Sequence, residues 1–147
     1  MESYLLDTNV VCRLIDRGDP RHAACEGAVE TLIRKKAKIC LAPQVLFEFW
    51  VVATRPAVDH GLGWTPSMTD AHMRRLRALF TVPSDTSHLL DEWQALVTRF
   101  SVRGKRAHDA RLAAFMQIHE IAYLVTLNGR DFQGWGFSVL GPETLLN

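Results

Sequence analysis

Apolar residues alternate between two periods along this chain. Short runs of adjacent apolar residues, closed by turn-forming ones, predict strands at 3–6, 38–41, 80–83, 123–126 and 137–139. Stretches with apolar positions three and four residues apart predict helices at 9–16, 21–34, 43–54, 67–79, 87–100 and 108–121. Pro43 opens the third helix, where its missing N–H costs nothing, and Arg55-Pro56 closes it. The irregular stretch 56–66 is too long for a tight turn and reads as a surface loop open to substrate or partner. The resulting order β-α-α-β-α-α-β-α-α-β-β predicts an α/β domain with a mainly parallel central sheet flanked by helices. Ligands of such sheets gather outside the carboxyl ends of the strands.

Length and composition narrow this picture. With 147 residues, 48% of them hydrophobic, the chain suffices for one well-packed core and is short for two, so one domain over 1–147 is expected. Lysine and arginine total 17 against 16 acids, and a net charge of +1 makes no global electrostatic claim on nucleic acid or membrane. Any nucleic-acid contact must come from a local patch. Cys12, Cys25 and Cys40 are odd in number and form no C-x-x-C pair, which argues against a disulfide framework or zinc knuckle and for a reducing compartment. The amino terminus carries an acid where a signal peptide would carry a base, and no apolar run is long enough to span a membrane. A soluble, cytoplasmic protein is expected, with no membrane partner.

The chemistry lies in four widely separated acids, Asp7, Glu48, Asp109 and Asp131, each where a hydrophobic run ends or a helix begins. On the predicted elements Asp7 ends the first strand and Glu48 lies early in the helix after the second. Asp109 falls in the first turn of the helix before 123–126, while Asn128 and Asp131 follow that strand's end at Thr126. All can reach one edge of the sheet. Asp109 shares a helix stripe with Leu112, Ala113 and Met116, so its side chain is expected to point inward.

Each acid also has an ordinary explanation. Asp7 and Asp109 are good helix-start residues, and Asp131 could be a simple turn acid. Glu48 resists this treatment, because an acid among Val45, Leu46, Phe47, Phe49, Trp50, Val51 and Val52 needs a partner, which a buried arginine pair could supply. The four together point to a metal site. An all-oxygen set suits a hard cation, Mg²⁺ or Mn²⁺, rather than zinc, and the matching reaction is phosphodiester hydrolysis by an activated water.

Leu5-Leu6-Asp7-Thr8-Asn9, the helical Glu48, Ala107-His108-Asp109-Ala110-Arg111, and Leu124-Val125-Thr126-Leu127-Asn128-Gly129-Arg130-Asp131-Phe132 together resemble the four signature blocks of PIN-domain ribonucleases, and more narrowly those of VapC-type toxins. The resemblance covers most of the chain. It implies a magnesium-dependent endoribonuclease, with Asp7, Glu48 and Asp109 around the metal and Asp131 as the fourth acid. Asn9 and Thr126 would hold the carboxylates and a bound water in place. Some relatives carry an acid at the position of Asn128, which leaves the fourth role divided between Asn128 and Asp131. The implied partners are an RNA substrate, a cognate antitoxin and a second copy of the chain.

Arg103, Lys105, Arg106 and Arg111 surround Asp109 and offer either a solvated loop or a phosphate-steering patch. His108 reads as a partly buried helix-start residue, with proton shuttling as the lesser reading, and Trp64 as the one tryptophan available to stack on a base. Two rivals remain. One is a catalytically idle PIN-like module that binds RNA or protein. The other is an aspartyl-phosphate phosphatase, disfavoured because Asn9 occupies the position where that chemistry needs an acid.

Overall fold

The computed structural model describes residues 1–146. Strands β1 (Ser3–Leu6), β2 (Lys38–Cys40), β3 (Tyr123–Val125) and β4 (Ser138–Leu140) form one sheet in the order β2-β1-β3-β4. Every pairing is parallel, with Leu5 opposite Cys40 on one side and Leu124 on the other. Tyr4, Leu5 and Leu6 are consecutive and all buried, so both faces of β1 are covered. That is why this strand reads as a continuous apolar run rather than an alternation.

The helices are α1 (Thr8–Ile15), α2 (His22–Arg34), α3 (Pro43–Thr54), α4 (Pro66–Leu79), α5 (Leu89–Arg99) and α6 (Arg106–Ile118). Pro43 is the first residue of α3, and the Thr65 side chain caps α4 by accepting from the Met68 amide at 3.1 Å. Helix α1 packs on α2 and α3, α4 on α3, and α5 pairs with α6. Leu5, Leu6, Leu32, Leu41, Phe49, Leu124 and Met116 are among the largest fully buried side chains, so the core runs from the sheet into the helix layers.

The strand expected at 80–83 is reduced to a single parallel bridge between Thr81 and Cys40. Thr81 exhausts its backbone groups on Ile39 O and Leu41 N, and Pro83 lacks the N–H that would carry the ladder on. The last strand lies one residue later than expected. Cys12, Cys25 and Cys40 are free and buried. Among the described residues, no helix is long and apolar enough to cross a membrane.

Candidate active site

Where β1 stops, its neighbour β3 stops beside it. The Asp7 amide donates to Val125 O at 3.0 Å, which brings Asp7 and Thr126 side by side at the carboxyl edge of the sheet. Asp7 divides its carboxylate between two tasks. Oδ1 accepts from the Thr8 amide at 2.8 Å and so caps α1, while Oδ2 accepts from the Thr126 hydroxyl at 2.7 Å and the Asn9 amide at 3.4 Å. The Asp7 carboxylate therefore caps α1 and ties to Thr126 and Asn9 at the same time. Thr126, only 2% exposed, also receives the Asn9 side chain at 3.2 Å and the Asn128 amide at 3.0 Å. Asn9 Oδ1 accepts from Leu127 N at 3.1 Å, locking the loop after β3 to the start of α1.

Glu48 stands in the middle of α3, later than expected, and is half-buried rather than enclosed. Its oxygens are held by the Thr8 hydroxyl at 2.6 Å and the Gln44 amide at 3.0 Å, and among the described residues it forms no ion pair. The same Gln44 nitrogen donates to the His108 carbonyl at 3.0 Å, joining α3 to the first turn of α6. Asp109 belongs to that turn. It is half-buried above Leu112, Ala113 and Met116, all buried, and its carboxylate has no hydrogen-bond partner among the described residues. Asp131 is exposed in a 3-10 turn, Gly129–Phe132, just past β3.

Asp7, Glu48, Asp109, Asn128 and Asp131 all line one cavity of about 390 Å³, together with Thr8, Asn9, Arg13, Arg55 and His60. Burial and neighbouring charge both raise the proton affinities of Asp7 and Asp109. Burial pushes the Asp7 carboxyl up, the Thr126 hydroxyl and Thr8 amide pull it down, and the charges of Glu48 and Asp131 raise it further. Asp109 is pushed up from 3.8 to about 6, by burial first and then by Asp131 and Asp7, with Arg106 opposing and Glu48 adding.

Among the described residues, no three His, Cys, Asp or Glu side chains stand close enough to enclose an ion between them. The donor set is nonetheless all oxygen, gathered on one cavity, and none of its carboxylates is ion-paired to a cation. That chemistry fits a hard divalent ion, which is bound through one or two carboxylates while keeping several of its waters.

The flanking bases divide. Arg106 donates to the Asp131 carbonyl at 3.4 Å and lies 5.2 Å from the Trp135 ring centre, beside the site. Arg111 pairs with Asp85 at 3.2 Å and lines a different, apolar cleft. Arg103 and Lys105 are exposed and line no part of the acidic cavity. His108 is exposed, not partly buried, and Trp64 is stacked on His72 with ring centres 4.7 Å apart. Sequence reasoning assigned no role to Thr8 or Gln44, placed His60 only within the loop 56–66 read as open to substrate or partner, and read Arg55 only as a helix end. The one available signal was spacing: Gln44 precedes Glu48 by a helical turn, and Arg55 follows it by two.

Sheet and cavity together define the class, an α/β domain whose parallel sheet gathers carboxylates at its carboxyl edge. The PIN domain family model matches residues 4–135, and the chain belongs to that family. Comparison with curated proteins returned no match. Solved structures with this fold include VapBC2 from Rickettsia felis bound to a DNA fragment from its promoter, with TM-score 0.70, 17% identity, and 95% of this chain and 98% of that one covered. VapC20 of Mycobacterium tuberculosis, a sarcin-ricin loop cleaving toxin, matches with TM-score 0.60, 23% identity, and coverage of 82% and 86%. A toxin-antitoxin complex from Klebsiella pneumoniae matches with TM-score 0.66, 19% identity, and coverage of 95% and 97%. At these identities the likeness is one of fold.

Proposed function

We propose that this chain is a single-domain, metal-dependent endoribonuclease that hydrolyses RNA phosphodiester bonds, and that it works in the cytoplasm as the toxin of a toxin–antitoxin pair. One observation carries this reading: Asp7, Glu48, Asp109 and Asp131, from four separate segments, line a single cavity with no ion-paired cation to neutralise them. These four would hold Mg²⁺ or Mn²⁺, which supplies Lewis-acid activation of water and charge against the phosphate oxygens. Thr126 and Asn9 orient Oδ2 of Asp7, and Thr8 and Gln44 orient both oxygens of Glu48. Gln44, bonded also to the His108 carbonyl, keeps Asp109 in register with Glu48. Asn128, at the rim, would steady a bound water.

The antitoxin partner and the RNA substrate extend to this chain what the structurally similar VapC20 and the Klebsiella complex do. A homodimer belongs to the same proposal. Phe47 and Val51, one turn apart on α3 and 60% and 56% exposed, form an apolar stripe that supports it.

The rival, an idle module that binds without cutting, draws on the spacing of the acids, no three of which enclose an ion among the described residues. Purified protein incubated with total RNA in Mg²⁺, Mn²⁺ or chelator separates the two. Cleavage with either metal that disappears on chelation is expected. Intact RNA under all conditions, with binding retained, would establish the rival.

A further inference from the structure

We propose that Arg55 is a substrate-binding residue, taking a backbone phosphate of the RNA strand beside the acid cluster; this rests on the ribonuclease reading above. Arg55 directly follows α3, and Glu48, Val52 and Arg55 fall on one helical stripe whose members all line the acidic cavity. Its guanidinium is held weakly. One terminal nitrogen donates to the His60 carbonyl at 3.4 Å, while Nε is buried with no partner. Among the described residues Arg55 forms no ion pair, although it shares its cavity with four carboxylates. A half-enclosed cation kept out of reach of nearby acids has donors to spare for an incoming anion.

The backbone around Arg55 is built to hold it there. The loop after α3 folds back along the helix end, with Leu62 N donating to Val52 O at 3.0 Å, Gly63 N to Arg55 O at 2.9 Å and Trp64 N to Ala53 O at 2.8 Å. Gly61 packs against the Arg55 carbonyl so closely that a Cβ would collide with it. Only glycine fits. Arg13 lines the same cavity and also has an unpartnered buried Nε, but it leans toward Asp19 at 3.7 Å and donates to Asn9 O at 3.2 Å. That leaves Arg55 as the less neutralised of the two.

A phosphodiester presents two unesterified oxygens and one negative charge, which a guanidinium fork matches with charge-assisted bonds. The cavity thus has an acidic side suited to a cation and a basic corner suited to the strand's own charge. Separating them lets a polyanion enter a site whose acids would otherwise repel it.

The test uses the full chain made cleavage-incompetent by Asp109→Asn, and a fluorescein-labelled single-stranded RNA of mixed sequence as the probe. Arg55→Ala, Arg55→Gln and Arg55→Lys are added to that background, and affinity is measured by anisotropy over a range of salt. Gln keeps a donor for the His60 carbonyl but not the charge, and Lys keeps the charge without the fork. Ala and Gln should weaken binding about tenfold and make the log–log salt dependence shallower by about 0.7, the loss of one phosphate contact on a single strand. Lys should restore the slope and part of the affinity. A slope unchanged in the Gln variant overturns the proposal, and identifies Arg55 as a prop for its loop. RNA cleavage by the otherwise wild-type chain, with KM unaltered by Arg55→Gln, would likewise sink the proposal while leaving the ribonuclease reading intact. A wild-type chain that neither binds nor cuts RNA overturns both.

Discussion

The hydroxyl of Thr8 donates to Oε2 of Glu48 across 2.6 Å, tying the first residue of α1 to the middle of α3. Thr8 is 9% exposed, and its backbone amide is already engaged by Asp7. One small residue therefore fixes two of the four acids at once, Asp7 through its N–H and Glu48 through its side chain.

Thr8→Val removes only the second of these links. The isosteric change should leave the fold intact at a cost of about 1 kcal/mol. Glu48 keeps its bond to Gln44 but gains rotational freedom, so kcat should fall about tenfold. Turnover within twofold of wild type would mean that Glu48 needs no such positioning.

Gln44 is the more critical brace, because it joins Glu48 to the backbone of the turn that carries Asp109. At 8% exposure, its loss leaves the His108 carbonyl and Glu48 Oε1 without that donor. Gln44→Leu should lower stability by about 1–3 kcal/mol and reduce cleavage more than Thr8→Val does. Chemical denaturation and initial rates on the two variants check the ranking, and a Gln44→Leu protein more active than Thr8→Val would refute it.

The parallel sheet, the gathering of Asp7, Glu48, Asp109 and Asp131 at its carboxyl edge, and the boundaries of α3 were legible in the sequence, because apolar runs, prolines and isolated acids are local signals. Thr8 and Gln44 were not. Their roles are hydrogen bonds to Glu48 and to the His108 carbonyl, and the Thr8–Glu48 and Gln44–His108 bonds close only when distant segments pack. An acid in an apolar run also promised deeper burial than Glu48 shows, since Phe47 and Val51 on the same helix face outward. Thr81 illustrates the opposite error. A β-branched residue among apolar neighbours looked like part of a strand, but a strand also needs consecutive free donors, and Pro83 removes one.

Asp109 makes the metal-free protein sensitive to pH. In the folded chain its carboxyl is raised to about 6 from 3.8, so the native state binds a proton more tightly than the unfolded one between those values. By linkage this contribution is fully present below about pH 3.8 and is lost as pH rises through about 6. Asp109→Asn stays neutral throughout. In chelator, the melting temperature of the Asn variant should therefore match wild type near pH 4 and rise above it by pH 7. A gap that stays flat across this range would show that neither burial nor neighbouring charge raises the Asp109 carboxyl in the folded chain.

Added metal should reverse that ordering. A cation bound to the folded site would stabilise wild type by roughly 2.7 kcal/mol at a hundredfold excess over its dissociation constant. It would also offset the repulsion that Asp131, Asp7 and Glu48 add to the effect of burial on Asp109. Asp109→Asn has less repulsion to relieve and, on the proposed reading, one ligand fewer, so Mg²⁺ or Mn²⁺ should raise its melting temperature much less, and it should not cleave RNA. If Asp109 served only as a first-turn residue of α6, the same change would instead cost up to about 1 kcal/mol through the lost charge–dipole interaction. Metal would then shift both proteins alike or neither. Melting curves of the two proteins at pH 7, each with chelator and with excess Mn²⁺, distinguish these outcomes. A smaller metal-induced shift in the Asn variant is the result expected if Asp109 takes part in holding the ion.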